Sequence, residues 1–211
     1  MNSVRKYLII GQLYIEREGY MHRVGMTLHD SYGQRKYLNH AERLRFFEAT
    51  KSKRTDIKLF CQLLHFTGAR IAEIHNLTSD SIDFSNKTVI LESLKKRKKG
   101  IYREIPLPDL ILEDLNMYIN SLQIETKDCT YLWSFSLRSA SRHIKRIMNE
   151  VQITGVRSSS RGLRHGFAVY AVARVPLTLV KKWLGHAALE TTEIYLNVVG
   201  AEEREIAKRI W

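Results

Sequence analysis

The sequence predicts a mainly helical α+β fold in which several helices surround one small antiparallel sheet. Three observations predict it. Runs with helical apolar spacing recur along the chain, each bounded by capping or helix-breaking residues. The stretch TVILESL, followed after a basic segment by YREIPLP, is rich in β-formers and reads as a hairpin. With 211 residues and 44% hydrophobic content, the chain can fill the core of one main domain.

Residues 1–36 open with an apolar and polar mixture that reads as strand or helix, then lose any sustained period. Asn39 followed three residues later by Glu42, ahead of LRFFEA, forms a capping box, so a helix and the main domain start there. Thr55-Asp56 opens a second helix through Phe66. Thr67-Gly68-Ala69 then leads into Arg70, on a helix whose Ile71, Ile74 and Leu77 have core-facing spacing. Arg70 stands off that apolar stripe.

Ser85-Asn86-Lys87 reads as a turn, followed by a hairpin whose tip carries five basic residues in succession, Lys95, Lys96, Arg97, Lys98 and Lys99. Residues 110–122 and 140–151 have helical spacing, with a short strand candidate at Tyr131-Leu132-Trp133 between them. Arg138, Arg142, Lys145 and Arg146 form a basic face on the later helix, suited to phosphates and equally to solvent.

The stretch 158–196 reads as three short helices. Ser158, Ser159 and Ser160 offer hydroxyl caps, and the helix they open places Arg161 and Arg164 on one face. Val175-Pro176 breaks it, because proline disfavours helical geometry in its predecessor and suits the first turn of the next helix. Gly185 ends the second helix, His186 follows at once, and Thr191-Thr192 starts a third that carries Tyr195 and stops at Gly200. A last helix, 201–211, has acids first and bases last as the helix dipole prefers, with Ile206, Ile210 and Trp211 on an apolar edge.

A formal charge of +12 implies attraction to polyanions, nucleic acid first and an anionic membrane surface second. No apolar run approaches a membrane span, and the N-terminal apolar core is too short for a signal peptide. The expectation is a soluble protein, cytoplasmic and nucleoid-associated. Cys61 and Cys129 have neither metal-ligand spacing nor a disulfide framework and read as buried free thiols. His65, Tyr131, Tyr170 and Trp183 read as packing residues.

Arginine, arginine, histidine and tyrosine thus fall close together. A tyrosine oxygen can attack phosphorus and hold it covalently, if cations stabilise the non-bridging oxygens and an acid protonates the departing oxygen. Arginine suits the first task because its planar fork donates paired hydrogen bonds and stays charged. The order Arg161-x-x-Arg164-His165, then Leu184-Gly185-His186, then Thr191-Thr192-x-Ile194-Tyr195, with TGARIAEI upstream, resembles the tyrosine recombinase, or integrase, family over 37–211.

That resemblance implies a helical catalytic domain with a small three-stranded antiparallel sheet, and DNA strand exchange through a 3′-phosphotyrosyl link. It implies no cofactor and no metal. Tyr195 becomes the nucleophile, Arg70 and Arg164 the holders of the phosphate oxygens, and His186 a donor to the same phosphate. Lys95, or Lys96 next, becomes the acid for the 5′ oxygen. Lys96, Arg97, Lys98, Lys99, Arg142 and Lys145 are the expected DNA contacts.

Double-stranded DNA is the implied partner, bound by a dimer or tetramer. The arm 1–36 is too short for the DNA-clamping domain that precedes the catalytic one in most members, so the expectation is a short member, similar to the invertases of fimbrial switching, with a partner able to supply the clamp. A catalytically silent DNA-binding accessory of the same fold is the alternative.

One position departs from the pattern. Where the family commonly has histidine, three residues before the second arginine, this chain has Arg161, which cannot accept a proton and reads as a third phosphate donor. His165 replaces that base only if it faces the site, and the preferred reading is a packed histidine that orients its helix. Glu73 reads either as a group that orients Arg70 or as a surface carboxylate.

Overall fold

The structure, a computed structural model, describes residues 27–94, 100–122, 131–196, 204, 207 and 208, together with the backbone of three strands at the N-terminal end. Those strands, β1 (Arg5–Ile9), β2 (Gln12–Arg17) and β3 (Tyr20–Arg23), pair as an antiparallel meander with Tyr7 opposite Tyr14 and Glu16 opposite Met21. The stretch left open between strand and helix is therefore β. The expectations on 95–99, Cys129, Gly200 and the edge Ile206, Ile210 and Trp211 lie outside the described residues.

Helix α1 (His40–Thr50) begins where the capping box predicts. The Glu42 N–H donates to Asn39 Oδ1 at 2.8 Å, and the Asn39 N–H donates to Glu42 Oε2 at 2.9 Å. The same carboxylate accepts from Arg35 and from Arg157, which joins the entry to α1 to the loop ahead of Ser160. Helix α2 (Thr55–Thr67) is the centre of the domain, with Leu59, Phe60, Cys61, Leu63 and Leu64 all buried. Burial lifts the Cys61 thiol to about 12, so it stays an unreactive free thiol, as expected.

His65 packs between the Phe47 and Phe66 rings, and its carbonyl accepts from Arg43 Nη2 at 3.0 Å. The Arg43 guanidinium lies over the Phe167 and Tyr170 rings, so one side chain connects α1 and α2 to helix α6 (Ser160–Val172).

Gly68 stops α2 in the left-handed conformation at φ 60°, and α3 (Ile71–His75) starts three residues on. Arg70 is the residue before the first turn of α3, where the apolar period had placed it on the helix itself. Beyond it, β4 (Ile82–Asp83), β5 (Thr88–Glu92) and β6 (Tyr102–Pro106) form the expected three-stranded antiparallel sheet, with Val89 opposite Ile105 and Leu91 opposite Arg103. The turn before β5 has Lys87 at φ 56° and Asp83 accepting from the Asn86 N–H.

Helix α4 (Asp109–Ser121) and helix α5 (Leu137–Glu150) match the two predicted runs within a few residues. The strand candidate between them is corrected to a single bridge, Tyr131 to Thr78. Tyr131 is 64% exposed, not buried, because the chain turns outward before Leu132 and Trp133 enter the core. Ser159 caps α6, accepting from the Gly162 N–H at 3.1 Å. Helix α7 (Leu177–Leu184) follows Pro176 and ends at Gly185, φ 65°.

Helix α8 (Glu190–Glu193) is one turn long and passes into a 3₁₀ turn, Ile194–Leu196, so Tyr195 sits on that turn and not within a helix. Its ring joins Tyr37, Phe167, Val180 and Leu184 in a second core cluster, and Trp183 packs against both cores. No helix among the described residues is long and apolar enough to cross a membrane.

The Gly68 turn sets the entry to the site, and it tolerates no side chain. A Cβ there would overlap the Phe167 ring, and φ 60° strains any L-residue. Gly68→Ala should lower unfolding free energy in urea by about 2–4 kcal/mol, the sum of backbone strain and overpacking.

Candidate functional site

The site is built on turns and helix starts that the core fixes. Arg70 leaves the Gly68 turn, and its backbone N–H and Nη1 donate to the two oxygens of Glu73 at 2.8 and 2.7 Å. Glu73 is 2% exposed and holds a second guanidinium. Arg103 Nη2 donates to Glu73 Oε2 at 2.6 Å, and its Nε donates to the Trp183 carbonyl at 2.7 Å. Burial alone would raise the Glu73 pKa, but the hydrogen bonds and charge of Arg103, with the Arg70 N–H and charge, hold it below the usual carboxylate value. Glu73 is thus a buried anion that orients Arg70, the first of the two readings that the sequence left open.

Arg103 was missed, although a signal existed. In YREIP, the period of a strand puts Arg103 on the same face as Ile105, and both are buried. A charge at an inward strand position needs a partner, and Glu73 is that partner. The guanidinium also lies against Gly185, the glycine that ends α7 beside His186. One side chain therefore links the β5–β6 hairpin, Arg70 and the loop that carries the second histidine.

Arg164, on the first turns of α6, is 8% exposed, and backbone carbonyls fix its fork. Nη1 donates to Gly68 O and Nη2 to Leu184 O, both at 2.8 Å. Burial, then the charge of Arg70, lowers its pKa to about 10, which leaves it a cation at neutral pH. Arg164 Nη2 also reaches His186 Nε2 at 3.2 Å, while His186 Nδ1 lies 2.9 Å from Thr192 Oγ1. With Nε2 accepting from a guanidinium, the imidazole proton belongs on Nδ1, donated to Thr192. Burial, then Arg164, Arg70, His165 and Arg103, push its pKa down to about 3, so the ring is neutral. To donate to a phosphate through Nε2, it must take up a proton or move its own from Nδ1 to Nε2, with the Thr192 hydroxyl then donating to Nδ1.

These groups surround a cavity of about 300 Å³ whose wall includes Arg70, Arg161, Arg164, His165 and His186. Arg161 is exposed at its rim on α6. No carboxylate is part of that wall. Three guanidinium groups converging without a facing acid suit a small, multiply coordinating anion such as a phosphate. No group of three or more His, Cys, Asp or Glu among the described residues is placed to hold a metal ion.

Tyr195 lies beside the cavity and not in its wall. Its side chain is fully buried, and its ring stacks on His186 with centroids 6.3 Å apart. The hydroxyl is 2.8 Å from His165 Nδ1. Burial raises the phenol to about 12 against the pull of Arg164 and Arg70. The packed reading of His165 is incomplete: the ring is buried, yet it faces the tyrosine.

The other expected contacts stand apart. Arg142 is exposed on α5 and donates to Ser139 Oγ, whereas Lys145 Nζ donates to the Ser158 carbonyl in the loop that leads to α6. Neither lines the cavity. Lys95, Lys96, Arg97, Lys98 and Lys99 fall outside the described residues, between strand ends that the sheet does place.

Known proteins resemble this chain in sequence and in fold. Tyrosine recombinase XerA of Pyrococcus furiosus is 29% identical over 181 residues, 82% of this chain and 61% of that protein. A tyrosine recombinase of Pseudothermotoga lettingae is 30% identical over 156 residues, 72% of this chain and 53% of that protein. The chain spans less than two thirds of the length of these relatives. Among solved structures, XerA recombinase has a similar fold with a TM-score of 0.71 at 24% identity, across 82% of this chain and 64% of that one. The catalytic domain of bacteriophage HP1 integrase has a TM-score of 0.56 at 21% identity, across 82% of this chain and 93% of that one. The model of the phage integrase family matches residues 36–202, a span that takes in Arg70, Arg164, His186 and Tyr195, and the chain therefore belongs to the phage integrase family.

Proposed function

We propose that the protein is a site-specific tyrosine recombinase that breaks and rejoins DNA strands through a 3′-phosphotyrosyl link to Tyr195. The observation that carries this reading is the convergence of Arg70, Arg161 and Arg164 on one cavity, with Tyr195 packed beside it. Relatives named tyrosine recombinases support it, as does the fold shared with XerH bound to its difH substrate, TM-score 0.67 at 22% identity.

Tyr195 Oη attacks one phosphodiester, and the 5′ oxygen leaves. Arg70 and Arg164 hold the non-bridging oxygens, and Arg161 adds a donor from the rim. Their positions are set in advance by Glu73 and by backbone carbonyls, so little reorganisation accompanies the growth of charge in the transition state. A lysine of the 95–99 segment, Lys95 first, protonates the 5′ oxygen. The phosphotyrosine conserves the bond energy, and the free 5′ hydroxyl of a partner strand later attacks it. The scheme needs neither nucleotide hydrolysis nor a metal.

Two copies or four on double-stranded DNA provide the paired strands, and residues 37–211 act as the catalytic domain behind the arm 1–36. The basic residues Lys96 to Lys99, Arg142 and Lys145 hold the flanking backbone. A separate partner that clamps the DNA fits the same scheme.

Covalent trapping tests the chemistry. On DNA flanking its own gene, nicked so that the cut strand loses a short 5′-hydroxyl fragment, the protein should form a denaturation-resistant adduct, absent in Tyr195→Phe. Tight, specific binding without any adduct would favour the silent accessory. Glu73→Gln removes the charge that orients Arg70, and should slow single-turnover cleavage by about 10²-fold while DNA affinity changes little. If about six phosphates are neutralised, affinity should fall about 10³-fold between about 50 and about 200 mM salt; a flat response would sink every nucleic-acid reading.

A further inference from the structure

We propose that His165 is the general base that takes the Tyr195 proton, replacing the histidine that the sequence pattern lacks at Arg161. The inference rests on Tyr195 being the nucleophile. Its ground is a direct contact: His165 Nδ1 lies 2.8 Å from the Tyr195 hydroxyl, within reach for proton transfer. No other side chain among the described residues is hydrogen-bonded to that hydroxyl. The same imidazole lines the cavity that holds Arg70, Arg161 and Arg164, so it borders both the phenol and the place of the phosphate.

The alternative bases fail on chemistry. Arg161 is a guanidinium without a lone pair to offer. His186 stacks on the Tyr195 ring, but its Nε2 is engaged by Arg164 and its Nδ1 by Thr192. His165 follows Arg164 on α6, whose fork is fastened to Gly68 and Leu184 carbonyls, so the helix that holds the phosphate also positions the base.

The charged and titratable groups facing His165 keep it in the accepting form. Burial, then Arg164 and Arg161 from its own helix and Lys36 from the segment ahead of α1, lower its pKa to about 4. Tyr195 and His186 face it from the C-terminal side. The imidazole is therefore neutral at physiological pH.

The step balances. Tyr195 Oη bonds to phosphorus as its proton passes to His165 Nδ1, and the P–O5′ bond breaks as O5′ takes a proton from a lysine of the 95–99 segment. Ligation runs the other way: the imidazolium returns its proton to the departing tyrosine oxygen.

The test is single-turnover cleavage of the nicked substrate across pH by wild type, His165→Asn and His165→Gln, with DNA affinity and thermal melting measured alongside. A parallel substrate carries sulfur in place of the bridging 5′ oxygen and so needs no leaving-group acid. The expected result is a loss of about 10²–10³-fold in cleavage on both substrates, with affinity within about twofold of wild type. The variants' rates should rise with pH throughout, where wild type reaches a plateau.

Wild-type rates and profile in folded variants would overturn the proposal, and so would rescue by the sulfur substrate, which would place His165 on the leaving group. If both variants fail to fold, wild type on the sulfur substrate decides. A rate that falls as an imidazole gains its proton supports the base, and a flat acid limb removes it. Absence of any wild-type adduct would be a failure of the nucleophile reading instead.

Discussion

The structure depends on one buried carboxylate. Glu73 accepts from Arg70 on one side and Arg103 on the other, with the ion pairs at 2.7 and 2.6 Å, and neither arginine pairs with a second acid among the described residues. A buried ion pair of this kind is weak evidence for stability, because the desolvation of each charge offsets most of the attraction. Its effect here is geometric. Removing the carboxylate would strand Arg103, 5% exposed in its side chain, in the low-dielectric interior. Arg103 in turn meets Ser93 at the end of β5, the Trp183 carbonyl at the end of α7, and the Gly185 backbone. A shift in any one of the hairpin, Arg70 or the His186 loop is felt by the other two.

The cavity beyond Glu73 is arranged so that its cations persist while its imidazoles stay neutral. Arg164 keeps its proton even with its pKa lowered to about 10, because a guanidinium starts so high. His165 and His186 start near neutrality and are pushed to about 4 and about 3 by burial and the same arginines. Packing positive charge this closely opposes folding in the absence of an anion. The carbonyls of Gly68 and Leu184 offset part of it by accepting from Arg164. The result is a cationic cavity flanked by two neutral rings, with both His186 nitrogens engaged by Arg164 and Thr192 and the His165 Nδ1 facing Tyr195.

What the sequence disclosed was local, and what it hid was tertiary. The Asn39–Glu42 box, the Gly68 and Gly185 stops, the Pro176 break and the Ser159 cap all follow from short-range backbone chemistry, and the structure contains each of them. The order of Arg70, Arg164, His186 and Tyr195 was readable as a motif. The orientation of His165 was not, since helical spacing says which face a residue shares but not what a turn 30 residues on brings against it. Arg103 was hidden by its surroundings in sequence, a basic run that draws every nearby cation into one solvated reading. Residues 1–36 were opaque for another reason: their strands are short and closely spaced, too brief for either period to emerge.

The pairing of Tyr195 with His165 also constrains the order of events. With burial raising the phenol and lowering the imidazole, moving the proton in the resting state is strongly uphill. A phosphodiester entering the cavity does not close that gap by its charge alone. An anion near both groups raises the affinity of each for the proton. The gap closes only when the tyrosine oxygen begins to share its electrons with phosphorus, because a phosphorus-bound oxygen has little claim on the proton. In the proposed reaction, attack and proton transfer are then one event. The phosphate gains a negative charge as the imidazole gains a positive one, so the net charge inside the ring of arginines is the same before and after the bond forms. An imidazolium beside Arg161 and Arg164 is prohibitive in the empty cavity and tolerable next to a phosphorane, which gives the base a reason to act only when its substrate is in place.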